Sequence, residues 1–287
     1  MAGVPPYQPY LDVPPSPFRW RLGLRPLDLA DWLEVDDDRV ADLAEKQRVM
    51  TEHPTTAFCA LDDVIDESAE VLDEIVAWLD RAGVGDGLPD RSLHPLDAAG
   101  RLVQEDLVLL VERDGAPVCG GGSVCFPNRW DLRSKVGRTM AEIHAPVAEL
   151  NDTLEAPINK FLMRLTADRS YWRLGWGVLD TPALYQAVDG TADPRPAAAT
   201  PADHHLRVER ETLRRLPRTG AILFTIRTHM SPLGAVPAGA TRQLAEAIRA
   251  LPPAVASYKQ LDDVGDELAD WLLGLAADGL ESRPSLE

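Results

Sequence analysis

Apolar positions change their period several times along the chain, and each change marks an expected element. Between about 27 and 83 the spacing is helical: Val71, Leu72, Ile75, Val76 and Leu79 form one stripe, and the acids between them face water. Gly83 to Asp90 is a Gly/Asp/Pro break that ends this part. A short helix is expected over Leu96–Gln104, after which the period drops. Asp106–Glu112 and Val118–Phe126 are β-prone runs on either side of Asp114-Gly115, which reads as a hairpin, and the first run is apolar on both faces, as in a central strand. Helical spacing is expected over Ser134–Ile143, stopped by Pro146, and again over Thr153–Thr166.

Tyr171–Leu179 alternates sharply, with Trp172, Leu174, Trp176 and Val178 on one face and Tyr171, Arg173, Gly175 and Gly177 on the other. That second face is polar and stripped of bulk. Asp189–Asp203 is a low-complexity loop, strand signals resume at His205–Arg210 and Ala221–Met230, and helical spacing returns over 238–278. The order strand-strand, helices, strand, strand-strand does not fit the parallel sheet of a βαβ repeat. It predicts an α+β fold, an antiparallel sheet with helices packed on one face and helical extensions at both ends. The first 17 residues hold six prolines and read as an extended arm, which leaves 18–280 as one domain.

With 29 Lys+Arg against 46 Asp+Glu, the 287-residue chain carries a formal charge of −17. A nucleic-acid surface needs clustered cations, and the longest basic run is Arg214-Arg215. No window approaches 18 apolar residues, and the first residues lack the charged and apolar regions of a secretory signal, so a cytoplasmic protein without a membrane span is expected. Three cysteines, Cys59, Cys119 and Cys125, are too few for a four-thiolate cluster and read as small buried hydrophobes.

Gly120-Gly121-Gly122 lies within a strand-like run, with neither Gly-Lys-[Ser/Thr] nor a following helix, and therefore does not read as a phosphate cradle. Asp36-Asp37-Asp38 lacks the spaced ligands of a calcium loop and reads as a solvated turn. Among six histidines, His144 stands out by position. In the expected helix Met140 is at i−4 and Gly137 at i−7, so the imidazole shares its stripe with a flexible apolar residue and a gap. Such a histidine is either a packed core group or, beside a surface cleared for something flat, a single axial ligand for haem.

Arg101–Leu110, Phe126-Pro-Asn-Arg-Trp130, Ser134-Lys-Val-Gly-Arg138, Ile143-His-Ala-Pro-Val147, Arg173-Leu-Gly-Trp176, Arg207–Pro217 and Phe224-Thr-Ile-Arg227 together resemble the α-subunit family of haem-dependent oxidative N-demethylases. The resemblance runs from about Phe18 to Leu275. It implies a haem b-binding, PAS-like α+β domain that activates O2 to oxidise an amine, with electrons from a separate NAD(P)H-dependent flavin/iron–sulfur reductase. It also implies His144 as the iron ligand. Family members commonly carry Asn where this chain has Gly175 and Pro where it has Ala148, so the region around Gly175 is larger and less polar here.

The remaining roles are physical expectations placed on those motifs. Arg173 would stabilise negative charge developing on oxygen, or else form a surface ion pair. Glu209 would hold an ammonium or guanidinium and Arg210 would orient it, although alternation puts the two on opposite strand faces. Lys135 and Arg138 would pair with the haem propionates, or else be solvated cations. The resulting expectation is a haem monooxygenase that N-demethylates or N-hydroxylates an amine. An amino acid such as arginine is an alternative substrate, and a non-catalytic gas sensor is an alternative function.

Overall fold

A computed structural model describes residues 5–9, 18–85, 87, 89–188 and 198–281. Its strands are β1 (Arg25–Leu27), β2 (Phe58–Ala60), β3 (Asp106–Arg113), β4 (Ala116–Ser123), β5 (Ser170–Leu179), β6 (His205–Arg215) and β7 (Ile222–Pro232). They form one sheet in the order β1-β5-β6-β7-β3-β4-β2, with antiparallel neighbours throughout. The helices are α1 (Arg39–Glu52), α2 (Pro54–Ala57), α3 (Ile65–Ala82), α4 (Pro95–Gly100), α5 (Met140–His144), α6 (Leu150–Arg164), α7 (Ala238–Arg249), α8 (Pro253–Tyr258) and α9 (Gly265–Glu281). This is the α+β class expected. None of the described helices is long and apolar enough to cross a membrane.

The β3–β4 hairpin turns where expected, because Asp114 (φ 51°) and Gly115 (φ 76°) supply the two left-handed residues that a two-residue turn requires. In β4 the glycine triplet is a packing device. A Cβ on Gly121 would lie 2.8 Å from Ala60 Cα, and one on Gly122 would lie 2.8 Å from the Leu107 carbonyl oxygen. The strands flanking β4 therefore approach only because it carries no side chains there.

Register separates the two sheet faces. Leu107, Leu109, Val111 and Leu223 pack under α3 and α4, while Val178, Leu206 and Val208 pack under α7 and α9. The opposite parity, Leu110, Tyr171, Leu213 and Ile222, meets Met140 and Ile143 of α5 and Phe161 and Leu162 of α6. Most helices thus cover one face, and α5–α6 add a partial layer on the second. That second face becomes the candidate site.

The N-terminal segment is less uniformly helical than its pattern predicts. It contributes both edge strands, β1 and β2, each too short to show a period. It also neutralises the polar positions of β6 and β7 on the first face. Arg227 pairs with Asp36 at 2.7 Å and Asp42 at 2.9 Å, Arg210 donates to the Trp32 carbonyl at 3.1 Å, and His229 lies 2.9 Å from Glu34. Asp37 and Asp38 form the exposed turn expected of the acidic run, while half-buried Asp36 turns its carboxylate to the buried Arg227. Of the expected arm, residues 1–4 and 10–17 lie outside the described residues. Tyr7, in the described part, donates to Glu34 and packs its ring 5.6 Å from His229. Of the expected loop Asp189–Asp203, residues 189–197 lie outside as well.

Glu70 of α3 clamps the β6–β7 turn, its carboxylate accepting from the Arg218 amide at 2.6 Å and the Thr219 amide at 2.8 Å. Burial raises this carboxyl, but hydrogen bonds from Thr219 and Arg218 more than offset it, and the group titrates below its ordinary 4.5. A depressed carboxyl stabilises the fold above its unfolded value, and that contribution is lost as pH falls through the folded value. Glu70→Gln is expected to cost about 1–2 kcal/mol at pH 7. The gap to the wild type should narrow in urea melts repeated below about pH 4.

Candidate functional site

Antiparallel pairing of β5 with β6 sets Arg173 opposite Glu211, Gly175 opposite Glu209, and Gly177 opposite Arg207, all on the second sheet face. Arg173 donates from Nε to Glu211 Oε2, and Arg207 donates from Nε to Glu209 Oε1 at 2.8 Å. Each carboxylate therefore keeps one oxygen free of its arginine. Those two oxygens converge on Gly175, where a Cβ would lie 3.4 Å from Glu211 Oε1 and 3.6 Å from Glu209 Oε2. Over Gly177 a Cβ would meet nothing within 4 Å. The glycines predicted to clear this face do so, and they leave a shelf edged by two carboxylates.

Burial raises Glu211. Arg173 opposes that without cancelling it, and the charge of Glu209 adds to it. Lys259, just beyond α8, donates to the Trp176 carbonyl at 2.7 Å between the two glycines, which fixes Tyr258 beside the shelf. Partial burial, then the charges of Glu209 and Glu211, raise the Tyr258 phenol.

Below the carboxylates a buried network holds Arg207 in place. Its NH2 donates to the Phe126 carbonyl at 2.6 Å and to Thr228 Oγ1 at 3.1 Å. The Cys125 and Phe126 amides each donate at 2.8 Å to Asp106, whose charge is met by Lys46 at 3.7 Å. Lys46 also donates to the Val103 carbonyl at 3.0 Å.

His144 ends α5, whose start is set by a capping box between Thr139 and Glu142. Its Nδ1 is buried without a hydrogen-bond partner. Burial, then the nearby charges of Arg173 and Lys135, push the imidazole down to about 4. A histidine kept neutral, with a ring nitrogen awaiting a partner, fits a metal ligand. Among the described residues no group of three or more His, Cys, Asp or Glu gathers as a metal cage.

The structure thus brings His144, Lys135, Arg173 and Glu209 to one side of the sheet and places other expected site residues elsewhere. Arg210 lies on the opposite face, as alternation predicts, held by the Trp32 and Asp31 carbonyls. Arg138 is exposed and pairs with Glu142 at 3.2 Å, and Lys135 donates to the Ile143 carbonyl at 3.1 Å. Met140 points into the apolar cluster with Leu110 and Cys119. The expected helix Ser134–Ile143 is broken. Gly137 adopts φ 80° in a turn and donates its amide to Cys119, so it shares no helical stripe with His144. Its role is conformational, since only glycine takes that φ without strain. Glu211 and Arg207 were not anticipated, although both follow from Glu209 by the two-residue period of its strand.

The chain is thus an α+β protein whose antiparallel sheet carries a carboxylate-edged shelf on the same side as His144. Residues 85–269 match the family model described as haem-dependent oxidative N-demethylase, alpha subunit-like. The match covers more than half of the chain, which therefore belongs to this family.

Proposed function

We propose that the chain is the haem-bearing, PAS-like subunit of a monooxygenase that oxidises amines, with His144 as the iron ligand. The observation that carries this reading is the position of a neutral His144 next to Arg173, on the face where Glu209 and Glu211 converge over Gly175. When bound, the haem supplies oxygen activation, and its electrons come from a separate NAD(P)H-dependent flavin/iron–sulfur reductase. Three cysteines on this chain are too few for a four-thiolate cluster of its own.

The chain's own residues bind the substrate and manage its proton. Glu209 Oε2 and Glu211 Oε1 accept hydrogen bonds from an ammonium or guanidinium lying on the shelf, and Gly175 and Gly177 make room for its substituents. Amines are cationic at neutral pH and become oxidisable once deprotonated. Glu211, raised by burial, is the matched acceptor, taking the ammonium proton at Oε1 while Arg173 holds Oε2. Arg173, held at Nε by Glu211, would supply donors from its terminal nitrogens to negative charge developing on oxygen. Attack at the carbon beside nitrogen gives N-dealkylation and attack at nitrogen gives N-hydroxylation, the choice following from the substrate's pose. A guanidinium-bearing amino acid such as arginine matches the two-oxygen receptor as well as a small amine does.

The test is oxygen consumption by the haem-loaded protein over a panel of amines and amino acids, with a surrogate electron donor. Glu209→Gln is expected to raise KM for cationic substrates by roughly 10–100-fold with a smaller change in kcat, as befits a lost charge-assisted hydrogen bond. An unchanged KM would remove Glu209 from the receptor. Haem binding without amine-dependent turnover would favour a gas sensor.

A further inference from the structure

Several cations on the α5–α6 side of the sheet are already engaged: Lys135 by a carbonyl, Arg138 by Glu142, Arg173 by Glu211 and Arg207 by Glu209. Lys160, Arg164 and Arg169 differ. None makes a side-chain hydrogen bond among the described residues, only Arg169 has an anion beside it, neighbouring Asp168, and all three line one groove of about 850 Å³ between α6 and the start of β5. Its wall is apolar and aromatic, built from Leu165, Phe161 and Tyr171, the two rings meeting edge to face at 5.2 Å. A single anion, Asp168, lines the same groove. In a chain of net charge −17, three cations against one anion beside an aromatic wall call for a ligand that is flat and apolar with an anionic edge.

The groove and the carboxylate shelf lie in succession along β5. Tyr171 and Arg173 share one strand face, two residues apart and so roughly 6.6 Å along the strand, and Ile143, the residue before His144, packs in one cluster with Phe161, Leu165 and Tyr171 of the groove wall. We propose that this groove seats the carboxylate edge of the haem, with Lys160, Arg164 and Arg169 pairing with its propionates and Phe161 and Tyr171 against the porphyrin margin. This rests on the reading of His144 as iron ligand. It moves the propionate partners from Lys135 and Arg138, which are spent, to cations that are not.

The test titrates full-length apo-protein with haemin and with haemin dimethyl ester, reading the Soret band. The wild type is expected to bind haemin about tenfold more tightly than the ester, with a preference that weakens in high salt. The triple variant Lys160→Gln/Arg164→Gln/Arg169→Gln, confined to exposed positions, should lose that preference while binding the ester as the wild type does. Cations that served only the C-terminal end of α6 would alter melting but not the discrimination between porphyrins. Equal binding of both porphyrins by the wild type, or full haemin preference in the triple variant, would overturn the groove assignment and leave His144 ligation standing. No Soret band with either porphyrin would overturn both readings.

Discussion

Replacing His144 by alanine is expected to abolish or shift the Soret band of the haem-loaded protein. The expectation follows from how the other imidazoles are used. His94 accepts from the Leu96 amide and packs on Phe58, His229 is bonded to Glu34, His204 is bonded to the Thr200 carbonyl, and His53 stacks on Tyr185. Among the described residues, His205 is the one other histidine with a buried Nδ1 without a partner. It sits two residues from Arg207 on the same strand face, which makes it the informative control. A band that survives in His144→Ala and disappears in His205→Ala would move the iron from α5 to β6. The pH dependence has a definite sign. With the imidazole held down to about 4, protons should not displace iron from His144 until the medium approaches that value, well below the 6.5 of a free histidine.

Asp106→Ala is the substitution expected to destabilise the fold most. It strips both acceptors from the Cys125 and Phe126 amides and leaves Lys46, 1% exposed, without its counter-charge. Breaking a buried pair in this way costs about 3–5 kcal/mol, which a urea or thermal melt would read directly. A second consequence is local. The Phe126 carbonyl positions Arg207, and Arg207 positions Glu209, so milder changes such as Asp106→Asn should raise substrate KM before the protein unfolds. Wild-type stability in Asp106→Ala would mean that the network is dispensable.

The elements with strong periods were legible along the chain. The α3 stripe, the β3–β4 hairpin around Asp114-Gly115, and the two-faced β5 strand each follow from local rules of sterics and burial, and so does the split of Glu209 from Arg210. The three-residue strands β1 and β2 were not legible, because their pairing comes from β5 and β4 and not from their own residues. The expected helix over Ser134–Ile143 failed at Gly137, where a left-handed turn satisfied by the Cys119 carbonyl outcompeted helical spacing.

What the sequence by itself determined was the α+β class, the acidic charge and the family resemblance. Each of these is a property of composition, period or motif. Only the tertiary structure decided that Glu211 joins Glu209 over Gly175, that Arg210 is a structural anchor on the far face, and which cations are left unspent. Those outcomes depend on cross-strand register and on long-range partners such as Trp32, Asp36 and Phe126, and distance in space between residues far apart in the chain leaves no local trace.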